Sequence, residues 1–76
     1  MKKTEITNLI DIGDVSLVYK DNDIFIDPRS DGNSNWVFLL GYKNIDKEYS
    51  SVNALMSDPV IDGKSINDIC DEVTLL

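Results

Sequence analysis

The hydrophobic period changes near Gly41, and that change narrows the kind of fold this chain can adopt. Between Asp14 and Gly41, strand-like stretches place apolar side chains at every second residue. Asp14-Val-Ser-Leu-Val-Tyr-Lys20 sets Val15, Leu17 and Tyr19 on one face, the pattern of a half-buried strand. Asp21-Asn22-Asp23 reads as a turn, because Asp and Asn hydrogen-bond their own backbone and Asn tolerates positive φ. Residues 24–27 form a second short strand, ended by Pro28, and a polar stretch runs on to Asn35. Trp36-Val-Phe-Leu-Leu-Gly-Tyr42 then sets Trp36, Phe38, Leu40 and Tyr42 on one face and Val37 and Leu39 on the other. A run that is apolar on both faces reads as a central strand, or one covered on both sides.

Beyond Gly41 the period lengthens. Tyr49, Val52, Leu55 and Met56 recur at i, i+3, i+6 and i+7, which predicts an amphipathic helix over residues 46–57. Asp58-Pro59 stops it, since the residue before proline is pushed out of the helical region. Val60-Ile61 is a short apolar connector and Asp62-Gly63 turns the chain. Ser65-Ile-Asn-Asp68 is a capping box, opening a helix to about residue 73 with Ile66, Ile69, Cys70 and Val73 on one face. The tail Thr74-Leu75-Leu76 either extends that helix or packs as an apolar end. At the other end, Ile6, Leu9 and Ile10 have helical spacing between a capping Thr4 and Gly13. The β-branched content there fits a strand nearly as well, which leaves residues 1–13 open between the two. The expected architecture is α+β: one small domain over residues 1–76, a three-stranded antiparallel β-meander packed against two C-terminal helices, preceded by that short N-terminal element.

Composition removes most chemistry. Seventy-six residues allow one domain, and 42% apolar residues suffice for one core. With no histidine and a single cysteine, the chain lacks a disulfide partner, the usual zinc ligand sets and the commonest general base. No apolar run approaches the roughly 18 residues of a membrane span. Polar residues interrupt the segment after Met1-Lys2-Lys3, so no signal peptide is read and a cytoplasmic location is expected. The seven basic residues are scattered against fourteen acids, a net charge of −7, which argues against direct binding to nucleic acid.

Each candidate motif has a plainer reading. Asp62-Gly63-Lys64-Ser65 resembles the end of a phosphate-binding loop, but Asp58 stands where the first glycine belongs. The residues are a turn and an N-cap. Asp27 to Gly32 has acids at the first and fifth positions of a calcium loop, but Arg29 and Phe38 occupy ligand positions. The shifted Asp31, Asn33, Asn35 run has Trp36 in place of the glycine, so this is a polar loop and no metal is assigned. The acidic clusters Asp21/Asp23, Asp58/Asp62 and Asp68/Asp71/Glu72 could serve a glycosidase only across a cleft that a chain this small can hardly wall. Cys70 sits among Ile66, Ile69 and Val73 as a small hydrophobe, with nothing beside it to activate a thiolate.

Binding without catalysis or cofactor remains. Trp36, Tyr42 and Tyr49 are the side chains best suited to anchor another protein, although the core also needs aromatics and Trp36 on the central run reads first as core. Arg29, the only arginine, lies in the polar stretch. Eleven of the fourteen acids are Asp, whose short stem holds charge close to the backbone. Strand residues two apart are separated by about 6.6–6.8 Å, close to the separation of neighbouring phosphates along one nucleic-acid strand. The expected function is therefore a non-enzymatic protein-binding module: a small acidic inhibitor that occupies the basic surface of a nucleic-acid-handling protein, with Asp21, Asp23, Asp31, Asp68 and Asp71 as its charged contacts. Small acidic phage-encoded inhibitors of host defence nucleases work in this way as a class; the likeness is one of size and charge. The alternative is a structural or assembly subunit that forms a homo-oligomer.

Overall fold

A computed structural model describes all 76 residues. Helix α1 (Lys3–Ile12) is followed by strands β1 (Val15–Tyr19), β2 (Asn22–Ser30), β3 (Trp36–Tyr42) and β4 (Ile45–Tyr49). Helices α2 (Val52–Ser57) and α3 (Ile66–Ile69) come next, and β5 (Thr74–Leu75) ends the chain. The strands form one antiparallel sheet in the order β4-β3-β2-β1-β5. The class is α+β, and the predicted three-strand meander is its centre, widened by one strand at each edge. No helix is long and apolar enough to cross a membrane.

The first element resolves as a helix that starts before Thr4. Lys2 is its N-cap, and the Lys2 backbone N–H donates to Glu5 Oε1 at 3.1 Å, so an acid in the first turn meets the positive end of the helix. Ile6 and Ile10 supply its buried face. The β1–β2 turn is Lys20-Asp21, one residue earlier than the sequence pattern suggests. Both residues have positive φ, 48° and 65°, which a two-residue hairpin needs to match the twist of its strands. Asn22 belongs to β2, and its side-chain amide donates to the Lys20 carbonyl at 2.9 Å.

Four expectations are corrected. First, β2 does not end at Pro28. Its pairing with β1 stops at Ile26 opposite Val15, so Pro28 lies where β2 has become an edge and a missing N–H is tolerated. Second, residues 46–57 are not one helix. Residues 45–49 fold back on β3 as β4, with Tyr49 opposite Phe38 and Ile45 opposite Tyr42. Helical spacing survives only from Val52 onward, where the Ser51 side chain accepts the Ala54 N–H at 3.1 Å. Third, the Ser65/Asp68 capping box forms as expected, but its helix lasts four residues. Glu72 N–H bonds the Ile69 carbonyl at 2.8 Å in a tighter turn, and Thr74–Leu75 pairs with β1. The spacing of Ile69, Cys70 and Val73 is thus met by a turn that brings Val73 back to the core. Fourth, β3 is interior and paired on both sides, but β2 holds the middle of the sheet.

Cross-strand register divides the sheet into two faces. Val15, Leu17, Tyr19, Ile24, Ile26, Leu40, Tyr42 and Tyr49 lie on one, all buried. Ile6 and Ile10 of α1, Leu55 and Met56 of α2, Ile66 and Ile69 of α3, and the loop residues Ile61 and Val73 complete this single core. The other face carries Ser16, Val18, Asp23, Phe25, Asp27, Arg29, Val37, Leu39, Gly41, Asp46 and Glu48, none of them buried. Leu40→Ala, at a position with no exposure, should cost about 2–5 kcal/mol, enough to unfold much of a small domain. Phe25→Ser, on a ring already half in water, should cost about 1 kcal/mol or less. Urea unfolding of both variants measures the difference, and equal losses would mean that both faces are covered in solution.

Candidate functional site

The uncovered sheet face is built by simple alternation. On β2, inward Ile24 and Ile26 force Asp23, Phe25, Asp27 and Arg29 outward. On β4, outward positions hold Asp46 and Glu48. Register sets Phe25 between Ser16 and Gly41, Asp27 beside Leu39, and Leu39 beside Glu48. Gly41 leaves room at the centre of the patch: a β-carbon there would lie 3.5 Å from the Asp46 carboxylate and 3.9 Å from Phe25. The result is a mixed face on which Val18, Phe25, Val37 and Leu39 are interleaved with four carboxylates: Asp23 and Asp27 flank Phe25 on the middle strand, and Asp46 and Glu48 line the β4 edge.

One cation shares this face. Arg29 Nε donates to Asp27 Oδ2 at 2.6 Å; the arginine is 64% and the aspartate 29% exposed, so the pair is screened by solvent and worth little to stability. The Arg29 hydrogen bond holds the Asp27 carboxyl below the ordinary carboxylate range, while the hydrogen bond and repulsion from Asp27 raise that of neighbouring Asp14. The lysines of the hairpins turn to the helix side instead. Lys20, Lys43 and Lys47 lie over the rings of Tyr19, Tyr42 and Tyr49 at 5.3, 5.2 and 5.7 Å.

Two of the expected aromatic anchors are corrected by burial. Tyr42 and Tyr49 are 2% and 7% exposed, so their rings are core and face away from the acidic sheet surface. Their hydroxyls reach the rim of the core and donate to aspartates: Tyr42 to Asp62 at 2.9 Å and Tyr49 to Asp58 at 2.7 Å. Lys43 and Lys47 complete these contacts at 3.3 and 2.6 Å. The sheet is thereby fastened to the segment after α2. Trp36 goes the other way: expected first as core, it is 60% exposed at the first residue of β3, opposite exposed Ser30.

Among the predicted acids, Asp23 stands on the open face with Arg29, and Asp21 lies in the turn beside it. Asp31 is spent in the β2–β3 loop, where its carboxylate accepts the Asn33 N–H at 2.8 Å and is held below its ordinary pKa by that bond. Asp68 accepts the Ser65 N–H at 3.0 Å within the capping box, which lowers its pKa as well. Asp71 is exposed in the turn after α3, outside the sheet face. The acids that do gather there, Asp27, Asp46 and Glu48, escape the sequence pattern, which puts Asp46 and Glu48 on a helix and Asp27 at the end of a strand. Alternation around Ile45 and Tyr49 is the signal that could find them. No group of three or more acidic or thiol side chains is arranged to hold a metal ion.

A second surface feature lies at the end of α1. Ile10, Asp11, Ile12 and Gly13 face Pro28, Trp36 and Phe38 across an open pocket of about 390 Å³.

The two tyrosine–aspartate contacts carry a pH signature. Hydrogen bonds from Lys47 and Tyr49 lower the Asp58 pKa, and those from Tyr42 and Lys43 lower that of Asp62. A depressed folded-state pKa gives stability that is complete above the unfolded value, about 3.9, and is lost as pH falls through the folded values. Replacing both aspartates by Asn should lower the thermal midpoint at pH 7, and the gap from the wild type should narrow in acid. Thermal scans at pH 7 and pH 3 provide the check.

No protein-family model matches this chain, and comparison with curated proteins and with solved structures gives no match.

Proposed function

We propose that this chain is a non-enzymatic protein-binding module that works in the cytoplasm by covering the basic surface of a partner protein, as an inhibitor of a nucleic-acid-handling protein would. The observation that supports it is the uncovered sheet face, with half-exposed Phe25 between Asp23 and Asp27, two more carboxylates on β4 and one guanidinium already paired. An uncovered face that mixes apolar residues with carboxylates is complementary to a surface that mixes apolar residues with cations. Charge steers encounter and selects the partner, and apolar burial holds it.

The acid spacing fits a surface evolved for phosphates. Asp46 and Glu48, two residues apart on β4, are separated by about 6.8 Å, and Asp23 and Asp27 on β2 by about twice that. These distances approximate one and two phosphate steps along a nucleic-acid strand. The alternative, a homo-oligomeric assembly subunit, would press this face against a copy of itself and set carboxylate against carboxylate, which disfavours it.

Charge reversal at Asp23, Asp46 and Glu48 should leave the fold intact and abolish capture of the partner from lysate of the source cell, and capture by the wild type should fall steeply with salt. Reversal without effect at low salt, or a partner retained equally at high salt, would contradict the reading. A dimer in light scattering that persists at high salt would favour the assembly subunit.

A further inference from the structure

We infer that the pocket between the end of α1 and the β2–β3 hairpin receives an arginine side chain of the partner protein, an inference that rests on the cationic partner proposed above. The pocket combines three features that suit this side chain and few others. Ile12, Pro28 and Phe38 give apolar walls for a methylene stem, since long cationic side chains lay their stems on such surfaces and keep the head in water. Trp36, 60% exposed, offers a ring face on which a guanidinium can stack. Asp11 lines the same pocket and forms no salt bridge with any cation of the chain.

The helix terminus supplies the further argument. Helix α1 ends at this pocket with no basic residue in its last turn, and Asp11 stands there instead. The C-terminal end of a helix carries partial negative charge and is stabilised by cations, so Asp11 is unfavourable where it stands. The negative charge of Asp11 and that of the helix end are both unanswered within the chain, beside an apolar wall and an aromatic ring. A planar cation with two or more donors satisfies all of them together; a lysine ammonium lacks the plane to stack and to bond a carboxylate bidentately.

Other occupants fit less well. In a second copy of this chain, Phe25 lies between Asp23 and Asp27, and the single arginine, Arg29, is bound to Asp27. Its approach would bring more carboxylates to Asp11. A neutral apolar group would fill the walls and leave Asp11 and the helix end without a counter-charge.

Trp36 is the only tryptophan, so its fluorescence reads the pocket directly. The test is titration of the whole protein with a blocked hexa-arginine peptide at low salt, with hexalysine and a neutral Gly-Ser peptide as controls. Fluorescence anisotropy of labelled peptide reports binding anywhere on the surface. The arginine peptide should change Trp36 emission saturably, about tenfold more tightly than hexalysine, and Asp11→Asn should weaken it by about tenfold. Asp11 is exposed, and circular dichroism of the variant should match the wild type. The pocket is overturned if Trp36 emission does not saturate, if hexalysine matches hexa-arginine, or if Asp11→Asn binds as the wild type does. Peptide held without a Trp36 response, and lost on Asp46→Asn with Glu48→Gln, would overturn the pocket while sustaining the acidic sheet face. Binding of neither peptide would count against both.

Discussion

A five-stranded sheet has two faces, and this chain has apolar side chains and helix enough to cover one. That constraint governs everything else in the structure. The core collects all sixteen buried apolar residues on the helix side of the sheet, around Leu17, Ile24 and Leu40. Every strand must then alternate, because a residue that points away from the helices meets water. The outward set can be polar without cost, and on β2 and β4 it is mostly acidic. Phe25, Val18, Val37 and Leu39 depart from that rule: Phe25 is half exposed and the other three are partly buried on the uncovered face.

The same constraint explains the work done at the edge of the core. Helices of six and four residues have too few turns to hold themselves in place by their own hydrogen bonds. They are held by what they bury, by the Ser51 and Ser65 caps, and by Tyr42 and Tyr49, whose rings pack in the core while their hydroxyls bind Asp62 and Asp58. Much of the acidity that stands out in the sequence is used in this way. Asp58, Asp62 and Asp68 hold the fold together, Asp31 shapes a loop, and free carboxylates remain on the open face and at the end of α1.

Alternation made β1 and β3 legible, and the capping box marked the start of α3, because in each case the local pattern and the tertiary partner agree. The α+β class followed from the change of period. The illegible parts depended on pairing between distant segments. Residues 45–49 have one inward residue at each end and charged residues between, so their strand character comes from hydrogen bonding to β3 and not from composition. The turn after Ile69 and the short β5 exist because the edge of β1 offers unpaired backbone groups. Trp36 continues the inward alternation of β3, and nothing in that local pattern marks where the core ends. For the candidate site, charge could be counted in the sequence, but which aspartates share a face required the register of four strands.

The most direct measurement of the one-sided core is relaxation of methyl signals by a soluble paramagnetic chelate, which reaches only side chains in contact with water. Methyls of Val18, Val37 and Leu39 should broaden strongly, while those of Leu17, Ile24 and Leu40 stay sharp. Equal protection of the two sets would contradict the account, because the acidic face would then already be covered and could not be the surface proposed to meet a partner.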